Sequence, residues 1–274
     1  LEQFKLKTMR NLLENFDQEK EVLLVTHDGV CHADDVLTTA LLQLYFKEKS
    51  ILTKVIRTRD PNFKIPENAI VYDVFLGRFD HHQGDIHESG RALSSIGRIW
   101  RWGKKEFRNV FKIDEESWKN IDENLIRPID ISDTTGELNP LSYAMIGVRG
   151  GERTEEAAWK SSLEFMTTTI KYILNEERVQ TGFRTSLKNA PTMEFNNRVI
   201  KLLDRNFPVH MDYFYYDADG FVVRTNSDTY ILRMFNKTPL RIDKDKLSEK
   251  IPGVIKLNKS FVEIQNLSVL ESIL

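Results

Sequence analysis

The chain carries a single cysteine, Cys31, in 274 residues. That excludes an internal disulfide framework and any zinc site built from several thiolates. It fits a reducing compartment, so an intracellular, cytoplasmic location is the expectation, with organelle targeting left open. Long apolar runs are also missing: none approaches the roughly 20 residues needed to cross a bilayer. The opening "LEQFKLKTMRNLLENF" lacks the uninterrupted apolar centre of a secretory signal. Phe4, Met9, Leu12, Leu13 and Phe16 instead fall near helical spacing, the pattern of a docked N-terminal helix. No charge of one sign dominates. Lys and Arg number 39 against 41 Asp and Glu, a net charge of -2, so no global field draws the chain onto nucleic acid. Such a substrate would need a local basic groove.

What remains is the balance of a soluble globular protein, 41% hydrophobic and 29% charged, long enough for one large domain or two ordinary ones. "EVLLVT" (21–26) predicts a short buried strand, "DVLTTALLQLYFKEK" (35–49) a helix, and 52–58 and 68–74 two more strands. Strand, helix, strand is the signature of a parallel sheet with right-handed crossovers, and hence of an α/β fold. "ALSSIGRIWRWGKKEF" (92–107) predicts the next helix, and 153–189 a long amphipathic stretch of one helix or two. After Pro191 the pattern alternates. "HMDYFYYDADGFVVRT" (210–225) reads as a hairpin turning at Asp219-Gly220, and "TYILRMF" and "VIKLNKSFVEI" add strands. The expected organisation is an α/β domain over 1–190 and a smaller, strand-rich α+β domain over 191–274.

Histidine is scarce too, and its distribution is informative. Five of the six histidines lie between residues 27 and 87, three of them in "RFDHHQGDIH" (78–87). His27 follows the first predicted strand at its carboxyl end, and His32 and Asp34 come just after it. Asp73 ends the third strand, and His81 and His82 follow. In a parallel sheet these ends share one edge, the edge where ligands bind in open α/β folds. Asp130 and Asp133 in "IDISDTTG" would reach the same edge from a later strand.

Imidazoles and carboxylates without thiolates suit Mn²⁺, Fe²⁺, Co²⁺ or Zn²⁺, and several histidines make Mg²⁺ less natural. Asp34, Asp73 and Asp133 supply three negative charges against four positive ones from two divalent ions. The surplus would stabilise a hydroxide and attract an anionic phosphoryl group, the logic of two-metal hydrolysis. Taken singly, Asp28-Gly29 reads as a turn, Asp34-Asp35 as a helix N-cap, Cys31 as a packing residue, and His87 and His210 as lying outside the cluster.

"VTHDGVCHADDVLTTALL", "VIRTRD", "VYDV", "FDHHQ", "LSSIG" and "IDISDTTG" occur in that order. Together they resemble the metal-dependent hydrolase family named for melanocyte proliferating gene 1, a branch of the DHH phosphoesterase group. The resemblance implies a DHH-like N-terminal domain and a Mn²⁺-dependent phosphodiesterase, a 3′–5′ exonuclease on single-stranded RNA or short oligonucleotides. Carried over by motif, His27, His32 and Asp73 would hold one ion. Asp34, Asp73, His81 and Asp133 would hold the other, with Asp73 shared. His82 would touch the substrate phosphate, and Asp80 would orient a histidine of the doublet. Arg59, Ser94 and Ser95 are candidate phosphate contacts.

Two features depart from the family. The link "DVFLGRFD" is short, and the C-terminal "NKSFVEIQNLSVLESIL" has none of the family's Gly-Gly-His-Arg cluster, leaving Lys259 as a candidate phosphate contact. The alternatives are hydrolysis of a small phosphoanhydride or dinucleotide in the same centre, and a non-enzymatic metal-binding interaction protein.

Overall fold

The structure, a computed structural model, describes residues 20–83, 87–88, 91–204, 218–225, 229–235, 253–257 and 261–274. The predicted N-terminal helix, His210, the aromatic run at 211–216 and Lys259 lie outside the described residues. The chain divides into two compact units, Leu1–Arg178 and Val179–Leu274. Among the described residues no helix is long and apolar enough to cross a membrane.

In the first unit, β1 (Glu21–Thr26) is the central strand of a three-stranded parallel sheet, flanked by β2 (Leu52–Arg57) and β3 (Ala69–Val71). Val22, Leu24 and Val25 are fully buried, as a strand covered on both faces requires. The crossover is α1 (Ala33–Glu48), which starts two residues before the predicted helix. Its Val36, Leu37, Ala40, Leu41, Leu42, Tyr45 and Phe46 are all inaccessible to solvent. A helix apolar on so much of its surface must sit inside a core rather than over one.

Beyond the sheet and a short antiparallel pair, β4 (His87–Glu88) and β5 (Arg91–Ala92), the unit is helical. The single helix expected over 92–107 is two, α2 (Ser95–Trp102) and α3 (Lys104–Phe111), separated at Gly103. Trp100 of α2 stacks on Trp118 of α4 (Glu115–Ile121), with ring centroids 3.6 Å apart and planes within 2°. A π-helical turn, Asp122–Ile126, leads into α5 (Arg127–Thr135). Asp130 and Asp133 therefore lie on a helix, not at a strand end. Being three positions apart, they share a face of α5. Then come α6 (Pro140–Gly150), capped by Asn139, and α7 (Glu155–Asn189), one helix of 35 residues. The division between the two units falls inside α7, twelve residues before the boundary at 190 that sequence composition suggests.

The second unit holds a six-stranded sheet in the order β10-β11-β9-β8-β7-β6. Its strands are β6 (Thr192–Phe195), β7 (Arg198–Leu203), β8 (Gly220–Arg224), β9 (Tyr230–Met234), β10 (Val254–Leu257) and β11 (Val262–Ile264). All neighbours are antiparallel except β7 and β8. Asp219-Gly220 is consequently not a hairpin turn; the hairpin joins β8 to β9. Gly220 is small for another reason, since a Cβ there would stand 2.4 Å from the Arg233 carbonyl oxygen on β9. Phe221 and Val223 pack with Phe183 and Phe235, while Val222, between them in sequence, packs with Leu232 and Val262 on the other face.

Candidate metal centre

The carboxyl edge of the parallel sheet gathers side chains from four separate segments. His27 follows β1, Asp34 and Asp35 sit in the first turn of α1, Asp73 and the His81-His82 turn follow β3, and Asp133 reaches in from α5. The Asp73 backbone is left-handed, with φ 55°, a conformation Asp tolerates better than most residues. This turns its carboxylate between two histidines. One oxygen lies 3.2 Å from His27 Nε2 and the other 3.2 Å from His81 Nδ1. His81 Nε2 is 3.0 Å from Asp133 Oδ2, and its Nδ1 is 4.0 Å from Asp34 Oδ2.

These atoms are close but not mutually satisfied. His27 Nε2, Asp34 Oδ1, Asp35 Oδ2, both Asp73 oxygens, His81 Nδ1 and Asp133 Oδ2 are buried and make no hydrogen bond of acceptable geometry. Buried polar groups are rarely left so, because each forfeits its hydration. A divalent cation among them would satisfy the whole set. The donors fit one: imidazole nitrogens and carboxylate oxygens, with the buried Cys31 instead directed to Ser162. Among the described residues, three groupings have ligand atoms within 4.8 Å of one another: His27, His32 and Asp73; His32, Asp34 and Asp133; and Asp73, Asp80, His81 and His82.

The electrostatics show the strain of this crowding. Burial pushes the Asp34 carboxyl well above its usual range, and the neighbouring Asp73, Asp133 and Asp35 push it further. Burial likewise raises Asp35 to about 7, against the opposing pull of His27. Asp73 goes the other way: burial would raise it, but contacts with His27 and His81 bring it down to about 2. Burial would lower His81, yet Asp133 and Asp73 raise it to about 10. The carboxylates beside His81 and His27 favour the protonated imidazoles, a charge compensation that a bound cation would take over.

Supporting bonds fix the carboxylates. Ser95, at the start of α2, directs both its backbone N–H and its hydroxyl at Asp34 Oδ2, at 3.2 and 2.8 Å. Ser94 does the same for Asp130 Oδ1, at 3.1 and 2.8 Å. Asp130 is fully buried, and a Cβ on Gly97 would stand 2.3 Å from its oxygen, so α2 and α5 can approach only because residue 97 is glycine. Both serines are buried, and their hydroxyls donate to carboxylates. Asp80, also buried, accepts from the backbone of Leu76 and His82 and lies 2.7 Å from His82 Nδ1. Arg59 is 56% exposed and held at the rim by the Asp28 carbonyl and carboxylate.

Asp35 was not among the site residues expected from sequence. It does cap α1, its Oδ1 accepting from His32 N at 2.9 Å, but its Oδ2 lies 3.3 Å from His27 Nε2. A single carboxylate thereby touches the segments of two candidate ligands. The only sequence signal was the second aspartate of "ADD", which capping alone explains.

Groups that orient ligands typically contribute about 10–100-fold to metal affinity. Ser95→Ala is expected to weaken Mn²⁺ binding by that factor in a calorimetric titration, because Asp34 would lose a hydroxyl bond but keep the backbone one. Unchanged affinity would show that Ser95 does not position Asp34 for a metal.

Fold and site together define a parallel-sheet protein with a histidine–aspartate centre of cation-binding type at its carboxyl edge. Residues 23–211 match the model of the MYG1_exonuc family, described as "Uncharacterised protein family (UPF0160)", and the chain belongs to that family. It is 35% identical to the MYG1 exonuclease of Homo sapiens over 81 residues, 28% of this chain and 21% of the human protein. It is 34% identical to a MYG1 protein of Chlamydia pneumoniae over 113 residues, 39% of this chain and 36% of that protein. With the MYG1 protein of Dictyostelium discoideum it shares 29% identity over 136 residues, 44% of this chain and 40% of that protein. The matches thus span about a fifth to two fifths of these relatives' own length.

Proposed function

We propose that this chain is a metal-dependent phosphodiesterase that releases nucleotides from the 3′ end of RNA or short oligonucleotides. The observation that carries this reading is the convergence of buried, unsatisfied imidazole and carboxylate atoms on the carboxyl edge of the parallel sheet. Membership of a family whose human relative is named an exonuclease supports the reaction class.

His27, His32 and Asp73 would hold one divalent ion, and Asp34, Asp73, His81 and Asp133 a second; Mn²⁺, the metal the family resemblance implies, is compatible with mixed imidazole and carboxylate donors. When bound, such ions polarise the phosphoryl group and make water nucleophilic at neutral pH. The chain's own residues do the rest. Asp80 engages His82 Nδ1, so Nε2 of this 57% exposed side chain is the nitrogen left for a phosphoryl oxygen, to which it can donate only as an imidazolium. Arg59 places a fixed cation at the rim, suited to steering the phosphodiester backbone. The second unit, Val179–Leu274, is the part expected to serve in substrate binding.

The test is a Mn²⁺-supplemented screen of single-stranded RNA, single-stranded DNA, a generic diester and pyrophosphate. Mononucleotide release from RNA is the expected result. Turnover confined to pyrophosphate or a dinucleotide would favour the small-molecule alternative that the missing Gly-Gly-His-Arg cluster leaves open. No turnover on any phosphoester would overturn the enzymatic reading.

A further inference from the structure

Beside the centre, the loop after β1, α5 and α6 enclose a groove of about 300 Å³. Val30, Leu138 and Ile146 line it and are 52%, 59% and 37% exposed. Three large apolar side chains left in water around one concavity mark a surface meant to be covered. The groove is not purely apolar, since Ser132 and Arg149 also line it. The Arg149 guanidinium is held in place by donating to the Cys31 carbonyl at 2.7 Å. At one end the wall is formed by His32 and Asp133, two of the candidate metal ligands.

We propose that this groove is a nucleoside subsite, receiving the base and ribose of a nucleotide whose phosphate sits at the metal centre. The inference rests on the phosphodiesterase reading for the position of that phosphate. Continuity through His32 and Asp133 means that a group attached to a centre-bound phosphate enters this groove. Its volume lies at the small end of the roughly 300–1,000 Å³ range of small-molecule pockets, which suits one nucleoside and not a protein surface. Its lining matches a nucleobase, whose flat faces are apolar and whose edges hydrogen-bond. Val30, Leu138 and Ile146 would pack against the faces, with Ser132 and Arg149 available to the polar edge. Among the described residues no Phe, Tyr or Trp lines the groove, so the base would be held chiefly by aliphatic packing.

The experiment compares adenosine 5′-monophosphate with ribose 5-phosphate, each titrated calorimetrically into the Mn²⁺-loaded protein and into a Leu138→Ser/Ile146→Ser variant. Both positions are partly exposed, so the variant is expected to fold, which circular dichroism checks. The nucleotide should bind about tenfold or more tightly than the base-free sugar phosphate, the scale on which apolar pockets discriminate. In the variant that ratio should fall toward one. Equal affinities in the unmodified protein, or an unaltered ratio in the variant, would overturn the subsite while leaving the phosphodiesterase reading intact. A variant that alters only oligomeric state, with no nucleotide preference to lose, would assign the groove to a second copy of the chain. Binding of neither ligand would overturn both readings.

Discussion

Asp73→Asn is expected to lower Mn²⁺-stimulated phosphodiester hydrolysis at least about a thousandfold. No other side chain in the centre has both of its terminal atoms buried, unsatisfied and each within 3.2 Å of a histidine. Removing its charge separates the His27 side of the centre from the His81 side, so any shared cation loses its bridge. Metal assistance supplies several kcal/mol of transition-state stabilisation, and about 4 kcal/mol corresponds to a thousandfold in rate. Asparagine is the informative replacement because it tolerates the left-handed backbone at φ 55° and keeps the size of the side chain. A far-ultraviolet circular dichroism spectrum that matches the parent separates lost chemistry from lost fold. A rate within tenfold of the parent would mean that Asp73 does not bridge a catalytic centre.

Saturating Mn²⁺ should raise the thermal midpoint by about 5–10 °C, and a chelator should reverse the rise. In the metal-free chain Asp34, Asp35, Asp73 and Asp133 lie together, and burial first, then the neighbouring carboxylates, raises Asp34 and Asp35. The unfolded chain cannot assemble the same ligands, so a cation binds the folded state selectively. At a hundredfold excess over its dissociation constant this contributes about 2.7 kcal/mol. For a domain of this size each kcal/mol moves the midpoint by about 2–4 °C. Mn²⁺ should outperform Mg²⁺, since three imidazoles are poor ligands for the harder ion. The shift should be largely absent in Asp73→Asn. An equal midpoint with metal and with chelator would contradict the account.

The parts of the centre legible in sequence were those fixed by strand ends. His27 follows β1 directly and Asp73 comes two residues after β3, and a parallel sheet leaves little choice about where such residues sit. Asp133 was identifiable as a candidate but not as a helical one, because Pro128 and the Thr134-Thr135-Gly136 run resemble a loop, while tertiary packing makes α5 of them. Asp35 was hidden because its capping role already accounts for it, and its approach to His27 depends on how β1 meets α1. The two serines illustrate the same limit. "SS" before a helix suggests phosphate binding, yet both hydroxyls are spent on Asp34 and Asp130, partners 61 and 36 positions away. In the second unit, Gly220 looked like a turn because a glycine needed for close strand approach and a glycine needed for a turn have the same letter.

Crystals grown with Mn²⁺ and measured at the manganese absorption edge test the central idea most directly. Anomalous density bounded by His27, Asp73, His81 and Asp133, with Asp73 in contact with it on both sides, is the predicted result. Manganese found only on surface carboxylates, with those four side chains unliganded, would contradict it.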